Sequence, residues 1–143
     1  PIGYLEPPCI PGDAILIIEN TPMELFGLLT SKMHMIWIKT IGGKLETRYR
    51  YSKGVIYNTF PLPDTNYDGL KSYAQKILDI RENHTDSTLA NLYDPDTMPS
   101  DLMKAHLKLD FAVEKLYRKK PFESDQERIE FLLSKYGEMI EGK

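Results

Sequence analysis

Glu46 and Arg48 stand two residues apart within Lys44–Ser52, KLETRYRYS, and that spacing admits two chemistries. Along a strand, successive side chains point to opposite faces. Glu46, Arg48 and Arg50 would then share one face, with Leu45, Thr47 and Tyr49 on the other. One reading is a surface ion pair, worth less than about 1 kcal/mol. The other is base readout in a DNA major groove. There arginine donates to guanine O6 and N7 while a carboxylate accepts from cytosine N4, so one G·C pair can engage both. Spacing alone favours the ion pair.

Other reactive-looking groups resolve more simply. Tyr49 and Lys53 match the tyrosine-x-x-x-lysine spacing of some hydride-transfer enzymes, but that pair works from a helix behind a dinucleotide-binding glycine motif, and the chain has neither there. His34, between Met33 and Met35, reads as a packed or hydrogen-bonded structural histidine. Asn58-Thr59-Phe60-Pro61 lacks the central prolines of the loop that presents an amine to a methyltransferase. Cys9 is the only cysteine, and His34, His84 and His106 show no zinc-ligand spacing, so neither an intrachain disulfide nor a metal site is expected. No catalytic residue is assigned. Asn83-His84-Thr85 fits the glycosylation pattern, but Pro1–Ile10 is not a signal peptide, and a cytoplasmic setting is expected. No apolar run approaches membrane-spanning length, so no membrane partner is expected. The start at Pro1, without an initiator Met, reads as a piece of something longer.

Charge is divided along the 143 residues. Residues 32–53 hold six Lys/Arg against Glu46 alone, whereas residues 63 onward hold 12 Lys/Arg against 16 Asp/Glu. That asymmetry suggests two parts with different jobs.

The elements that must position these groups follow from apolar periodicity. Residues 1–12, rich in Pro and Gly, read as loop. Ala14–Ile18 predicts a buried strand. Thr21 as cap and Pro22 as first helical residue predict a helix from Met23 to about Thr40, ended by Gly42-Gly43. Leu45–Tyr51 and Val55–Phe60 predict strands joined by a turn at Ser52-Lys53-Gly54. Pro61-Leu62-Pro63 stops the sheet. Beyond it the periodicity predicts a helix striped by Leu70, Tyr73, Ala74, Ile77 and Leu78, and a short element near Leu89–Tyr93. A long helix over Ser100–Lys119 carries Leu102, Ala105, Leu109, Val113 and Leu116. The last opens on the capping box Ser124–Glu127, with Ile129, Leu132, Leu133, Tyr136 and Ile140 inward. Arg118-Lys119-Lys120 suits a helix C-terminus or a phosphate equally well. The expected fold is α+β: a small sheet with a packed helix over 1–62, then an all-helical subdomain over 63–143.

The stretch FGLLTSKMHMIWIKTIGGKLETRYRYSKGVIYNTFPLP resembles the target-recognition segment near the end of single-chain, adenine-specific DNA methyltransferases. The family is typified by the type IIL restriction–modification enzyme MmeI. LANLYDPDTMPSDLMKAHLKLDFAVEKLYRKKPFESDQERIEFLLSKYGEM is similar to the helical tail of the same enzymes. The resemblance runs from Pro1 to about Met139. It departs at Leu62, where many relatives carry tryptophan, and at the variable Gly42-Gly43. It implies a DNA-recognition fragment, non-catalytic itself, of a parent that transfers a methyl group from S-adenosylmethionine to adenine N6. Its partners would be double-stranded DNA and an upstream methyltransferase domain of the same chain, which would hold the cofactor; none is expected in this fragment. In the family the positions of Glu46 and Arg48 form a variable base-reading pair. That tilts these two residues toward readout, with Lys44, Arg50, Tyr51, Ser52 and Lys53 assigned to the DNA backbone. The competing class is a structural or protein-interaction module packed on the rest of the parent, without DNA contact.

Overall fold

Pro22 fixes an extended backbone at the first helix entrance, with ψ 150°, and its carbonyl accepts from the amides of Leu25 and Phe26 at 3.1 and 3.3 Å. The computed structural model describes residues 1–5, 8–10, 12, 15–45, 48–49 and 51–142, with backbone alone for Lys44, Leu45, Arg48 and Tyr49. Helix α1 spans Met23–Thr30. Thr21, expected as its cap, instead donates its hydroxyl to the Ile18 carbonyl at 2.8 Å.

The single helix expected through Thr40 is two helices. Ser31 adopts ψ 161°, and its hydroxyl donates to the Leu28 carbonyl at 2.6 Å, ending α1. The same Oγ accepts from the His34 amide at 3.5 Å and so caps α2, Lys32–Ile41. From α5, Asp110 accepts the Lys32 amide at 2.7 Å, placing a carboxylate beside the Ser31 cap at that positive helix end.

The α+β expectation fails. Among the described residues the only strands are β1, Lys44–Leu45, and β2, Arg48–Tyr49, paired antiparallel with Lys44 opposite Tyr49 and Leu45 opposite Arg48. Leu45–Tyr51 therefore pairs with itself and does not run as one strand. Ile15–Ile18, expected as a buried strand, is 41–57% exposed and forms no regular element; Ala14 lies outside the described residues. Lys53–Tyr57, in place of a turn and strand, forms a π-helical turn. Ser52 caps it, its Oγ accepting the Val55 amide at 3.4 Å. Four ladder residues make no layer, and the architecture is helical.

After a 3-10 turn at Asp68–Leu70 come α3 (Lys71–Asn83), α4 (Leu89–Leu92), α5 (Ser100–Tyr117) and α6 (Asp125–Glu141). Helix α3 packs on α1 and α5, and α2 packs on α6. The α5 stripe is as expected: Leu102, Ala105, Leu109 and Val113 are buried. In α6 only Leu132 is fully inside, while Leu133 and Ile140 face outward. Ser124 accepts the Glu127 amide at 3.1 Å, and the Glu127 carboxylate takes the Glu123 amide at 2.7 Å.

One core joins both halves of the chain. Leu28, Met33, Trp37 and Ile56 pack in the same cluster as Ile77, Leu109, Val113 and Leu132. The proline boundary is docked too: Tyr117 donates to the Pro61 carbonyl at 2.9 Å, and Lys135 pairs with Asp64 at 2.8 Å. Near the start, Arg81 donates to the Ile2 carbonyl at 2.7 Å and to the Tyr93 hydroxyl, which in turn meets His106 Nε2 at 2.6 Å. No described helix is long and apolar enough to cross a membrane.

Candidate nucleic-acid interface

The chain leaves α2 at Gly42 and returns to it at Tyr51, and both ends of that excursion are held by buried side chains. At the exit, a Cβ on Gly42 would lie 2.4 Å from the Ile38 carbonyl oxygen and 3.1 Å from Ile56 Cδ1. The backbone carbonyl of Ile38 leaves no room for a side chain there, and the Ile56 side chain packs close beside it. At the return, the Tyr51 hydroxyl is bonded to His34 Nε2 at 3.1 Å, with the rings stacked 5.7 Å apart at 7°. The Phe60 ring also packs against the imidazole, with centroids 4.6 Å apart and the planes tilted by 54°.

Behind this pair, Trp37 Nε1 donates to Thr59 Oγ1 at 3.2 Å, and the Thr59 hydroxyl donates in turn to the Val55 carbonyl. The α2 face bearing His34 and Trp37 thus holds Tyr51 and Thr59, which flank the π turn on either side, at two points one helical turn apart. Burial lowers the His34 pKa to about 4, so the imidazole is neutral at physiological pH. Burial, with Tyr57 nearby, pushes the Tyr51 phenol up to about 12, so it stays protonated. Beside the clamp, Leu25, Leu29, Tyr57, Phe60, Leu62 and Met139 line an open, mainly apolar hollow of about 360 Å³.

The candidate residues distribute unevenly on this frame. Glu46 and Arg50 lie outside the described residues, and Lys44 and Arg48 are placed by backbone alone, in β1 and β2. The shared strand face expected for Glu46, Arg48 and Arg50 falls on side chains outside the described residues. Lys53 is exposed at the start of the π turn and Ser52 is half-buried as its cap. Tyr51 is half-buried, its hydroxyl turned to His34. Not every cation of the basic stretch is left without an acidic partner: Lys32 Nζ pairs at the surface with Asp125 of α6 at 2.8 Å. Arg118, read as open to phosphate, instead donates to the Lys120 and Pro121 carbonyls and pairs with Glu127 at 2.6 Å.

His34 is the hydrogen-bonded structural histidine that its place in an amphipathic helix predicts. Its bond to Tyr51 and the Trp37–Thr59 bond had no signal in the sequence, since each joins residues 17 or 22 positions apart.

Known proteins place this frame in context. Residues 1–64 match the family described as MmeI, target recognition domain, and residues 62–142 match MmeI, C-terminal domain. DNA methyltransferase A of Bacillus subtilis (strain 168) is 46% identical over 144 residues, covering 99% of this chain and 16% of that protein. The type IIL restriction–modification enzyme MmeI, solved in complex with DNA, superposes with a TM-score of 0.81 at 44% identity, over 85% of this chain and 17% of the enzyme. The chain thus spans about a sixth of the length of these relatives. With two consecutive family matches that run through residue 142, the chain belongs to the MmeI family, within its target recognition and C-terminal domains.

Proposed function

We propose that this chain recognises duplex DNA as the sequence-reading part of a site-specific, adenine-N6 DNA methyltransferase of the bacterial cytoplasm. The observation that carries this reading is the target-recognition match over residues 1–64, on a segment clamped at both ends to buried side chains. A reading element must hold its register while only its tip meets the bases, and the clamp meets that need.

In this reading Glu46 and Arg48 engage one G·C pair, arginine donating to guanine and the carboxylate accepting from cytosine. Lys44, Arg50, Ser52 and Lys53 hold the phosphate backbone, which sets register without carrying sequence information. Tyr51, assigned to the backbone from sequence, acts instead through His34 to seat the segment. Methyl transfer from S-adenosylmethionine belongs to an upstream domain of the longer parent, and residues 63–143 buttress the recognition part over 1–62.

The test exchanges donor and acceptor. In the full-length parent, Glu46→Lys with Arg48→Asp is expected to change the required base at one position of the methylated site while methylation continues. Mapping methylated adenines across a genome reads the outcome. An unchanged site in a folded, active double variant refutes the assignment.

A further inference from the structure

The outer face of α5 carries a feature that lies outside the candidate recognition segment. Met103, Leu107 and Phe111 follow at four-residue steps, so they form one row along the helix. They are 45%, 61% and 51% exposed, although the opposite row of the same helix is buried. Lys104, Lys108 and Lys115 border the row and are exposed, and Lys115 Nζ lies 4.3 Å from the centre of the Phe111 ring.

The helix's carboxylates are drawn elsewhere. Asp110 accepts the Lys32 amide, Glu114 pairs with Arg128, and Asp101 meets His84 at 3.2 Å. Among the described residues none of the three bordering lysines makes an ion pair. Single exposed apolar side chains are ordinary, but an ordered row with a border of one sign has the form of a helix-docking surface.

We propose that this face docks an amphipathic helix from a partner polypeptide, its apolar residues recurring at three- and four-residue steps and flanked by Glu or Asp. Charge complementarity selects the acid-flanked partner, because a lysine-flanked helix would meet three like charges. The apolar row argues against nucleic acid, since phosphate gains nothing from three large apolar side chains.

The experiment titrates the isotopically labelled 143-residue chain with a synthetic helical peptide carrying Leu at every third or fourth position, flanked by Glu. A Lys-flanked version, a Leu→Ser version and a DNA duplex serve as comparisons. The acidic peptide is expected to shift backbone resonances of residues 100–117. Leu107→Ser or Phe111→Ser should weaken it at least about tenfold, with the circular dichroism spectrum unchanged. Lys104→Glu with Lys108→Glu should transfer preference to the Lys-flanked peptide. The proposal is overturned by no binding at about 1 mM peptide, by equal binding of both charged peptides, by duplex DNA shifting these resonances in the peptide's place, or by self-association through this face.

Discussion

At the residue scale, His34 and Tyr51 show how a buried polar pair can serve a surface segment. His34 Nδ1 has no hydrogen-bond partner among the described residues, and Nε2 has only the Tyr51 hydroxyl. A buried lone pair without a partner costs less than a buried N–H without one, so the proton belongs on Nε2, which then donates to the tyrosine. Tyr51→Phe removes that acceptor and strands the donor inside the core. The expected cost is about 1–3 kcal/mol in urea unfolding. Replacing both partners, His34→Leu with Tyr51→Phe, should recover most of that loss, because no buried donor remains. A single variant as stable as the parent sequence would show that the bond holds nothing. Gly42 acts at the same scale by subtraction, since any Cβ there would collide with the Ile38 carbonyl oxygen.

At the element scale, the joint between α5 and α6 rests on Arg128. Its Nε pairs with Glu114 at 2.7 Å and its Nη1 with Asp125 at 3.1 Å, and Asp125 in turn takes Lys32 of α2. Arg128 and Glu114 are both nearly buried, at 11% and 9% exposure of their side chains. Arg128→Met leaves the Glu114 carboxylate inside without its partner and should cost about 3–5 kcal/mol, whereas Arg128→Met with Glu114→Leu should fall close to the starting stability. Thermal unfolding of the single and double variants decides it; equal losses in both would mean that packing, not charge, holds the joint. Helices of this kind were legible in the sequence. The α5 stripe keeps a near-ideal period, and the serine–glutamate signature marks where α6 begins. Ser31 was not legible, because the apolar stripe continues past it on both sides and only its own bond to Leu28 breaks the helix. Val55, Ile56 and Tyr57 have strand-favouring side chains, yet the Ser52 cap and burial of Ile56 bend them into a π turn. The strand expected over Leu45–Tyr51 fails for another reason: Leu45 pairs with Arg48 inside that same run, which periodicity within one strand does not signal.

At the scale of the whole molecule, three buried or half-buried titratable groups couple folding to pH in opposing directions. Burial lowers both His34 and His106 to about 4, with Arg81 adding to the shift of His106, against an ordinary value of 6.5. Each stabilises the fold fully above its unfolded value and loses that contribution as pH falls through the folded one. Asp110 runs the other way: burial, reinforced by Glu114, raises it to about 6 from 3.8. Its contribution is fully present below the unfolded value and is lost as pH rises through the folded one. Between pH of about 4 and 6 the unfolded chain therefore holds two extra histidine protons and the folded chain one extra aspartate proton. The net is one proton, so stability should fall by about 1.4 kcal/mol for each unit of acidification across that window. Asp125, lowered by its bond to Lys32, and Glu127, lowered by the Glu123 amide, add their losses at more acidic pH. Asp110→Asn keeps an oxygen for the Lys32 amide but removes the opposing titration, so the slope should double toward two protons. Urea unfolding at several pH values separates these cases. A flat profile in the original chain, or an unchanged slope in Asp110→Asn, would mean that these groups do not govern the acid limb. The doubled slope would tie acid sensitivity to two places that hold the molecule together: the His34 clamp beneath the recognition segment and the His106 network that ties the N-terminal residues to α3 and α5.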